Sequence, residues 1–363
     1  MKKFLLTLTA IGLYTAIFTC CVNAEENIKL ITNGSECNYE VKWNKEHNRL
    51  LVSSDFVKEY FDASIEFDSN TINISKNQNT LQLKTDDEFY IMNGLGGRKI
   101  GYLTEIVNNK AYLPLRYICE AFGANVSYNT DNKTAYITTN SIVVNEEIKK
   151  YFENVQVFDQ STIRITGEKT IYVDPRRILG EPKDADIIFI THTHNDHYEI
   201  DSIKRVMNEN TQIFITNDGI EQARLDGLTN VTGVEPGKSY IADGISFSTV
   251  KAYNTAEQRQ NHKAEFNWVG YIFTVNGYTY YSAGDSDLTP EMQAIDKEID
   301  VAFLPIDGKY NMDYKEAAQA ANTISPKVAV PYHYNNFVPE ENAEEFVKLL
   351  DEKIMGAIVA FKM

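Results

Sequence analysis

The sequence predicts an α/β fold. Two β-sheets lie face to face with helices outside them, a four-layer αββα sandwich, preceded by a small α+β domain. Three observations predict this. The chain has 363 residues, of which 43% are hydrophobic and 24% charged, enough for about two ordinary globular domains. From about residue 156 the sequence is strand-rich and then alternates short apolar runs with amphipathic stretches, with polar side chains placed where strands end. Before about residue 140 it repeats one strand–helix–hairpin pattern.

The formal charge is −16, a balance that repels nucleic acid and anionic lipid. Met1-Lys2-Lys3 is followed by an apolar run from Phe4 to about Phe18, then Val22-Asn23-Ala24 before Glu25. That is the pattern of a secretory signal over residues 1–24, with a buried N-terminal helix, a retained anchor or lipidation at Cys20 or Cys21 as alternatives. The run is short for a bilayer span, and no second one is long enough. An extracytoplasmic location, secreted or in the cell envelope, is the expectation. It leaves Cys37 and Cys119 able to pair, although Cys119 falls in an apolar helical pattern that favours a buried thiol.

Residues 25–140 form the first unit. Leu51-Val52 leads to Phe56, Val57, Tyr60 and Phe61, then to Ile65, Phe67 and Ile74. Sixty-one residues on, Tyr112-Leu113-Pro114 leads to Tyr117, Ile118, Ala121 and Phe122, then to Val126, Tyr128 and Ile137. The i, i+1, i+4, i+5 spacing predicts a short helix in each copy, and alternation around an Asn/Asp-rich turn predicts a hairpin. Thr80–Leu83 and Glu88–Met92 read as strands between the copies, followed by a turn over 94–97. The stretch from Tyr112 to Tyr128 resembles the copper amine oxidase-like N-terminal domain, a module of exported bacterial proteins whose name implies no copper site. The unit contains one histidine, His47, and reads as an interaction module able to meet a cell-envelope component. Residues 141–155 are a charged, helix-compatible connector.

The second unit spans 156–363. Ser161–Thr166 and Thr170–Val173 are strands around a Gly167-Glu168-Lys169 turn. Ile187–Ile190 is a buried β-branched strand. Helices are predicted near Ile200–Met207, Ile220–Leu225, Lys315–Asn322 and Glu341–Leu350. Strands are predicted at Gln212–Thr216, Ser239–Ile241, Ile245–Val250, Val269–Val275, Thr279–Ser282, Val301–Pro305 and Val328–Val330.

The strand at Ile187–Ile190 runs into His192, His194, Asp196 and His197, so three of the chain's six histidines share one hexapeptide. Alternation points His192 and His194 the same way, and Asp196 and His197 follow as the chain leaves the strand. Imidazoles beside a carboxylate suit a divalent Zn, Mn or Fe ion. Three further donors lie at loops or strand exits: His262, Asp285 within Ala283-Gly284-Asp285-Ser286-Asp287, and His333 after Pro331-Tyr332. Four such segments can supply two ions with three ligands each, a bridging carboxylate and open positions for water.

In that order the segments resemble the metallo-β-lactamase superfamily, through its His-x-His-x-Asp-His motif, over about residues 160–340. The resemblance implies one ion on His192, His194 and His262 and a second on Asp196, His197 and His333, bridged by Asp285. Ala252-Tyr253-Asn254, Val269-Gly270-Tyr271, Pro290-Glu291-Met292 and Pro331-Tyr332-His333-Tyr334 look most like the L-ascorbate-6-phosphate lactonase-like branch. His262-Lys263 stands where that branch has His-Pro-Lys. The implied function is a metal-dependent hydrolase in which two divalent ions, zinc with manganese or iron as alternatives, yield hydroxide for cleavage of an ester, lactone or phosphodiester in a small-molecule substrate. Asp196 would orient the hydroxide and hold a proton. Thr191 and Asp174 are candidates to hold the imidazoles. Tyr198, Tyr253, Asn254, Lys263, Tyr310 and Tyr334 could line a pocket. The competing expectation is a non-catalytic envelope-binding protein with a structural or residual metal site, which would be closed to water.

Overall fold

Two strand systems of like design face each other in the computed structural model, which describes residues 28–45, 49–76, 79–92, 94–100, 104–107, 110–122, 124–138, 146–158, 161–334 and 341–358. The signal-like segment and His47 lie outside the described residues. The first system is a six-stranded sheet in the order Val155–Val157, Ile163–Ile165, Ile171–Val173, Ala185–Ile190, Met207–Thr216, Val231–Val234. Its first three strands are antiparallel and the rest are joined in parallel. The second is a seven-stranded sheet from Ser239–Ala242 to Met355–Gly356, antiparallel through Tyr278–Ser282 and parallel thereafter.

Side-chain alternation sorts each strand between two cores. Ile187 and Phe189 point into the space between the sheets, with Tyr271, Phe273, Phe303 and Val330 from the opposite sheet. The Phe189 ring sits 4.7 Å from those of both Tyr271 and Phe247. Ile188 and Ile190 point the other way, onto Ile203, Val206 and Ala223 of the helices Ile200–Val206 and Ile220–Leu225. In the second sheet Ala302 and Leu304 face outward onto Ala317, Ala318, Ala320 and Ala321. Those alanines form one face of helix Tyr314–Ile324, which starts with a capping box between Asp313 and Glu316. Each fully buried aliphatic or aromatic side chain contributes roughly 1.5–3 kcal/mol, so the strands that end at the site are held from both faces.

One predicted strand is shorter than expected, and one predicted turn closes early. Ser161–Thr166 is a strand only over Ile163–Ile165, because Thr162 turns its hydroxyl onto the Asp174 carbonyl at 2.6 Å. The turn expected over 94–97 closes earlier, and Gly96–Lys99 pairs with Phe89–Met92. The stretch read as a connector carries the helix Glu146–Phe152, whose Ile148, Tyr151 and Phe152 enter the core of the second unit.

In the N-terminal unit both copies of the repeat form strand, helix and hairpin: Arg49–Ser53, Ser54–Tyr60, Ser64–Asp68 with Thr71–Lys76; then Lys110–Pro114, Leu115–Ala121, Asn125–Asn129 with Thr134–Thr138. The leading strands pair antiparallel with Val52 opposite Leu113, its equivalent in the repeat. Cys119 is buried in this unit's core and Cys37 lies 2.6 Å from the Thr32 hydroxyl; no disulfide joins them. The units touch where Leu95 O accepts the amides of Leu179 and Gly180 at 2.7 and 3.3 Å. No helix among the described residues is long and apolar enough to cross a membrane.

Candidate metal centre

The strand Ala185–Ile190 ends by handing its chain to a carboxylate. Asp174, fully buried, accepts from the Thr191 amide at 2.8 Å and the Thr191 hydroxyl at 2.7 Å. This pins the segment as it leaves the sheet. His197 and Tyr198 donate their amides to His194 O at 3.0 and 2.8 Å, so the chain turns back and His197 returns beside His192. Asp285 arrives from the end of Tyr278–Ser282. Gly284, at φ +65, brings its backbone against Thr191 and Val269, where a Cβ would sit 3.1 Å from each. His333 follows Val328–Tyr332 at φ +58, and Asp174 has φ +45. These left-handed residues cost on the order of 1–3 kcal/mol each, and both stand at the centre.

All seven residues expected as ligands converge. His192, His194 and His262 form one group, Asp196, His197 and His333 another, and Asp285 joins His192 and His197 between them, with candidate donor atoms in each group within 4.8 Å. His192 Nε2 is 3.1 Å from His194 Nδ1. Asp285 Oδ1 is 3.2 Å from His197 Nε2 and 3.4 Å from His333 Nε2, and Oδ2 is 3.3 Å from His262 Nε2. Two ligands bonded at about 2.0–2.1 Å to one tetrahedral ion lie about 3.3 Å apart. The spacings fit a shared ion as well as they fit hydrogen bonds. Neither His197 Nε2 nor Asp285 Oδ1 has a hydrogen-bond partner of acceptable geometry, although both are buried. Buried polar atoms are rarely left so, and a cation would satisfy both.

The electrostatics of the ion-free cluster point the same way. Burial, then the charge of His197, holds His192 well below the ordinary imidazole value; burial, then His262, also lowers His194. Burial works downward on His197 too, but Asp285 and Asp174 outweigh it and push it up to about 10. His333 is raised likewise, against burial, by Asp285 and Asp196. Burial would raise Asp285 and Asp196, yet the His333 and His197 imidazoles hold both below the usual carboxylate range. A cluster that traps protons on two imidazoles is one with a strong appetite for positive charge.

Supporting groups complete the centre. The Asp174 Oδ2 lies 2.7 Å from His197 Nδ1, as the sequence suggested for this residue. Asp307 Oδ2 lies 3.3 Å from His333 Nδ1, a contact the sequence reading missed. Trp268 packs 4.6 Å from His192 and 4.7 Å from His194, and donates its indole N–H to Asp218. The only available signals were rarity, since the chain has two Trp, and the place of Asp307 just past a strand. Of the residues offered as pocket lining, Tyr198 donates to Asp226, Tyr253 to Glu291, and Tyr334 packs in the outer helical core. Lys263 is exposed near Glu265. Asn254 instead clasps the His262 main chain, with amide to carbonyl at 2.7 Å and side-chain oxygen to amide at 2.9 Å, and its Nδ2 donates to Tyr310 O.

Comparison with known proteins agrees with this geometry. Residues 154–333 match the Beta-lactamase superfamily domain, and residues 31–137 and 95–171 match the Copper amine oxidase N-terminal domain. A metal-dependent hydrolase of the UPF0173 family from Thermococcus kodakarensis is 32% identical over 214 residues, 55% of this chain and 92% of the relative. Its counterpart from Thermococcus onnurineus is 31% identical with the same coverage. A solved structure from Parabacteroides distasonis, classed as a metal-dependent hydrolase, shares 26% identity at a TM-score of 0.50, covering 65% of this chain and 98% of that one. With 92% of the length of these relatives matched, the chain belongs to the UPF0173 metal-dependent hydrolases, enzymes of metallo-β-lactamase fold, and carries a copper amine oxidase-type domain.

Proposed function

We propose that this hydrolase is exported and cleaves an ester, lactone or phosphodiester at a two-ion centre, one ion on His192, His194 and His262, the other on Asp196, His197 and His333, with Asp285 between them. The observation that carries the reading is the convergence of seven donor side chains from separated segments. Two divalent ions so held would supply hydroxide near neutral pH and polarise the scissile oxygen. The rest is the work of side chains. Asp174 and Asp307 hold the imidazoles of His197 and His333 in register. Trp268 closes the His192–His194 side. Asp196, with its side chain 25% exposed while Asp285 and His333 are buried, faces the open side, where it can orient the attacking water and take up a proton. That opening favours catalysis over a closed structural site. The lactonase-like stretches around Asn254, Gly270 and Tyr332-His333 support the bond class, and the apolar run Phe4–Phe18 supports export.

Purified protein should carry close to two ions per chain by elemental analysis. Chelation should abolish hydrolysis of lactone, ester and phosphodiester probes, and Asp285→Asn should reproduce that loss. A folded chain with almost no metal would overturn the reading. Cell fractionation tests export, and protein found only in the cytoplasm would exclude it.

A further inference from the structure

The two halves of the centre are not built alike, and the difference lies behind the ligands. His197 Nδ1 is 2.7 Å from Asp174 Oδ2, and His333 Nδ1 is 3.3 Å from Asp307 Oδ2; both carboxylates are buried. Each is itself fastened. Asp174 takes the amide and hydroxyl of Thr191, and Asp307 takes the amides of Lys309, Tyr310 and Asn311 and the Asn311 side chain. Among the described residues, the histidines of the other half have nothing comparable. His192 Nδ1 meets the Thr191 hydroxyl at 3.0 Å, His194 turns its Nδ1 toward His192 Nε2 and so presents that nitrogen to the ion, and His262 Nδ1 is buried with no carboxylate beside it. Asn254 holds the main chain of His262, so its ring is placed, but no carboxylate backs it. The first half also owns a carboxylate ligand, Asp196, where the second has three imidazoles.

We infer that the centre fills in a fixed order: the half built on Asp196, His197 and His333 takes the first ion, and the half built on His192, His194 and His262 takes a second, more readily exchanged one. The inference rests on the two-ion reading above. A carboxylate behind a ligating imidazole raises its basicity and fixes its ring, and losing such a partner costs about 10–100-fold in metal affinity. An anionic ligand adds attraction for a divalent cation in the same low-dielectric place. One half has all of these and the other none, so the two affinities should differ by at least the effect of one such partner.

The test is titration of the metal-free full chain with Zn²⁺ against a competing chelator dye. Wild type should show two unequal equivalents. His262→Ala should keep the tight equivalent and lose the weak one. Asp307→Asn should weaken the tight equivalent about 10–100-fold and spare the weak one. Trp268 gives a readout independent of activity, since it touches His192 and His194. In a Trp43→Phe background, which leaves it as the sole Trp, most of its fluorescence change should accompany the second equivalent. If His262→Ala removes the tight equivalent, or the Trp268 change is complete after the first, the order is overturned. So it is if the two equivalents bind with equal affinity. Saturation of wild type at one ion would instead defeat the two-ion reading beneath it.

Discussion

At the scale of single residues, the centre is governed by charges that cannot escape one another. His197 is raised from 6.5 to about 10 in the ion-free chain and His333 is raised as well. A base held above its unfolded value stabilises the fold fully below that value, and the contribution is lost as pH climbs through the folded one. The thermal midpoint of chelated protein should therefore fall between pH 6.5 and about 10, while metal-loaded protein, whose imidazoles carry no proton, should not show that loss. Scanning calorimetry at several pH values, with and without chelator, checks it. Metal uptake must also expel those protons, so affinity should drop as pH is lowered. The ligands were legible in the sequence because an ion needs donors of a few kinds, and three of the chain's six histidines share the hexapeptide that begins at His192. Asp307 and Trp268 were not, because their partners His333 and His192 are reached only after strands from distant parts of the chain are laid side by side.

At the scale of elements, the strands that deliver ligands close on one another through residues too small to notice. A Cβ on Gly270 would sit 2.6 Å from Ser282 O and 2.7 Å from Ala283 O, on the backbone that runs into Asp285. Gly270→Ala should destabilise the protein by about 1–3 kcal/mol in urea unfolding and lower its metal content. Asp313→Ala removes the N-cap of helix Tyr314–Ile324 and should cost about 1 kcal/mol with metal content unchanged. The pair separates damage to the site from damage to the scaffold. Periodicity read most of these elements to within a residue or two, since Val269–Val275 and Val301–Pro305 are runs that only a buried strand explains. At Glu146–Phe152 it read a helix-compatible stretch but missed the buried face. There the eye falls on Glu146, Glu147, Lys149 and Lys150, while Ile148, Tyr151 and Phe152 supply the i, i+3, i+4 stripe that enters the core.

At the scale of the whole molecule, the two units meet at a backbone contact and through Phe158, which is buried in the N-terminal core. Leu95 O takes the amides of Leu179 and Gly180, and a Cβ on Gly180 would stand 2.2 Å from Gly94 O. Gly180→Ala should push the contact open. Hydrogen exchange at the Leu179 amide should quicken, while the Thr191 amide, bonded to Asp174, stays protected. Loss of protection at both would mean that the contact supports the centre as well as the junction. Within the N-terminal unit, Val52 and Leu113 are twins in the duplicated sequence and also neighbours across the seam between the copies. Each half therefore acts as a mould for the other. A bulkier side chain arising in one half is met at once by its own counterpart, so along that seam the duplicates are obliged to change in concert, however far they diverge elsewhere.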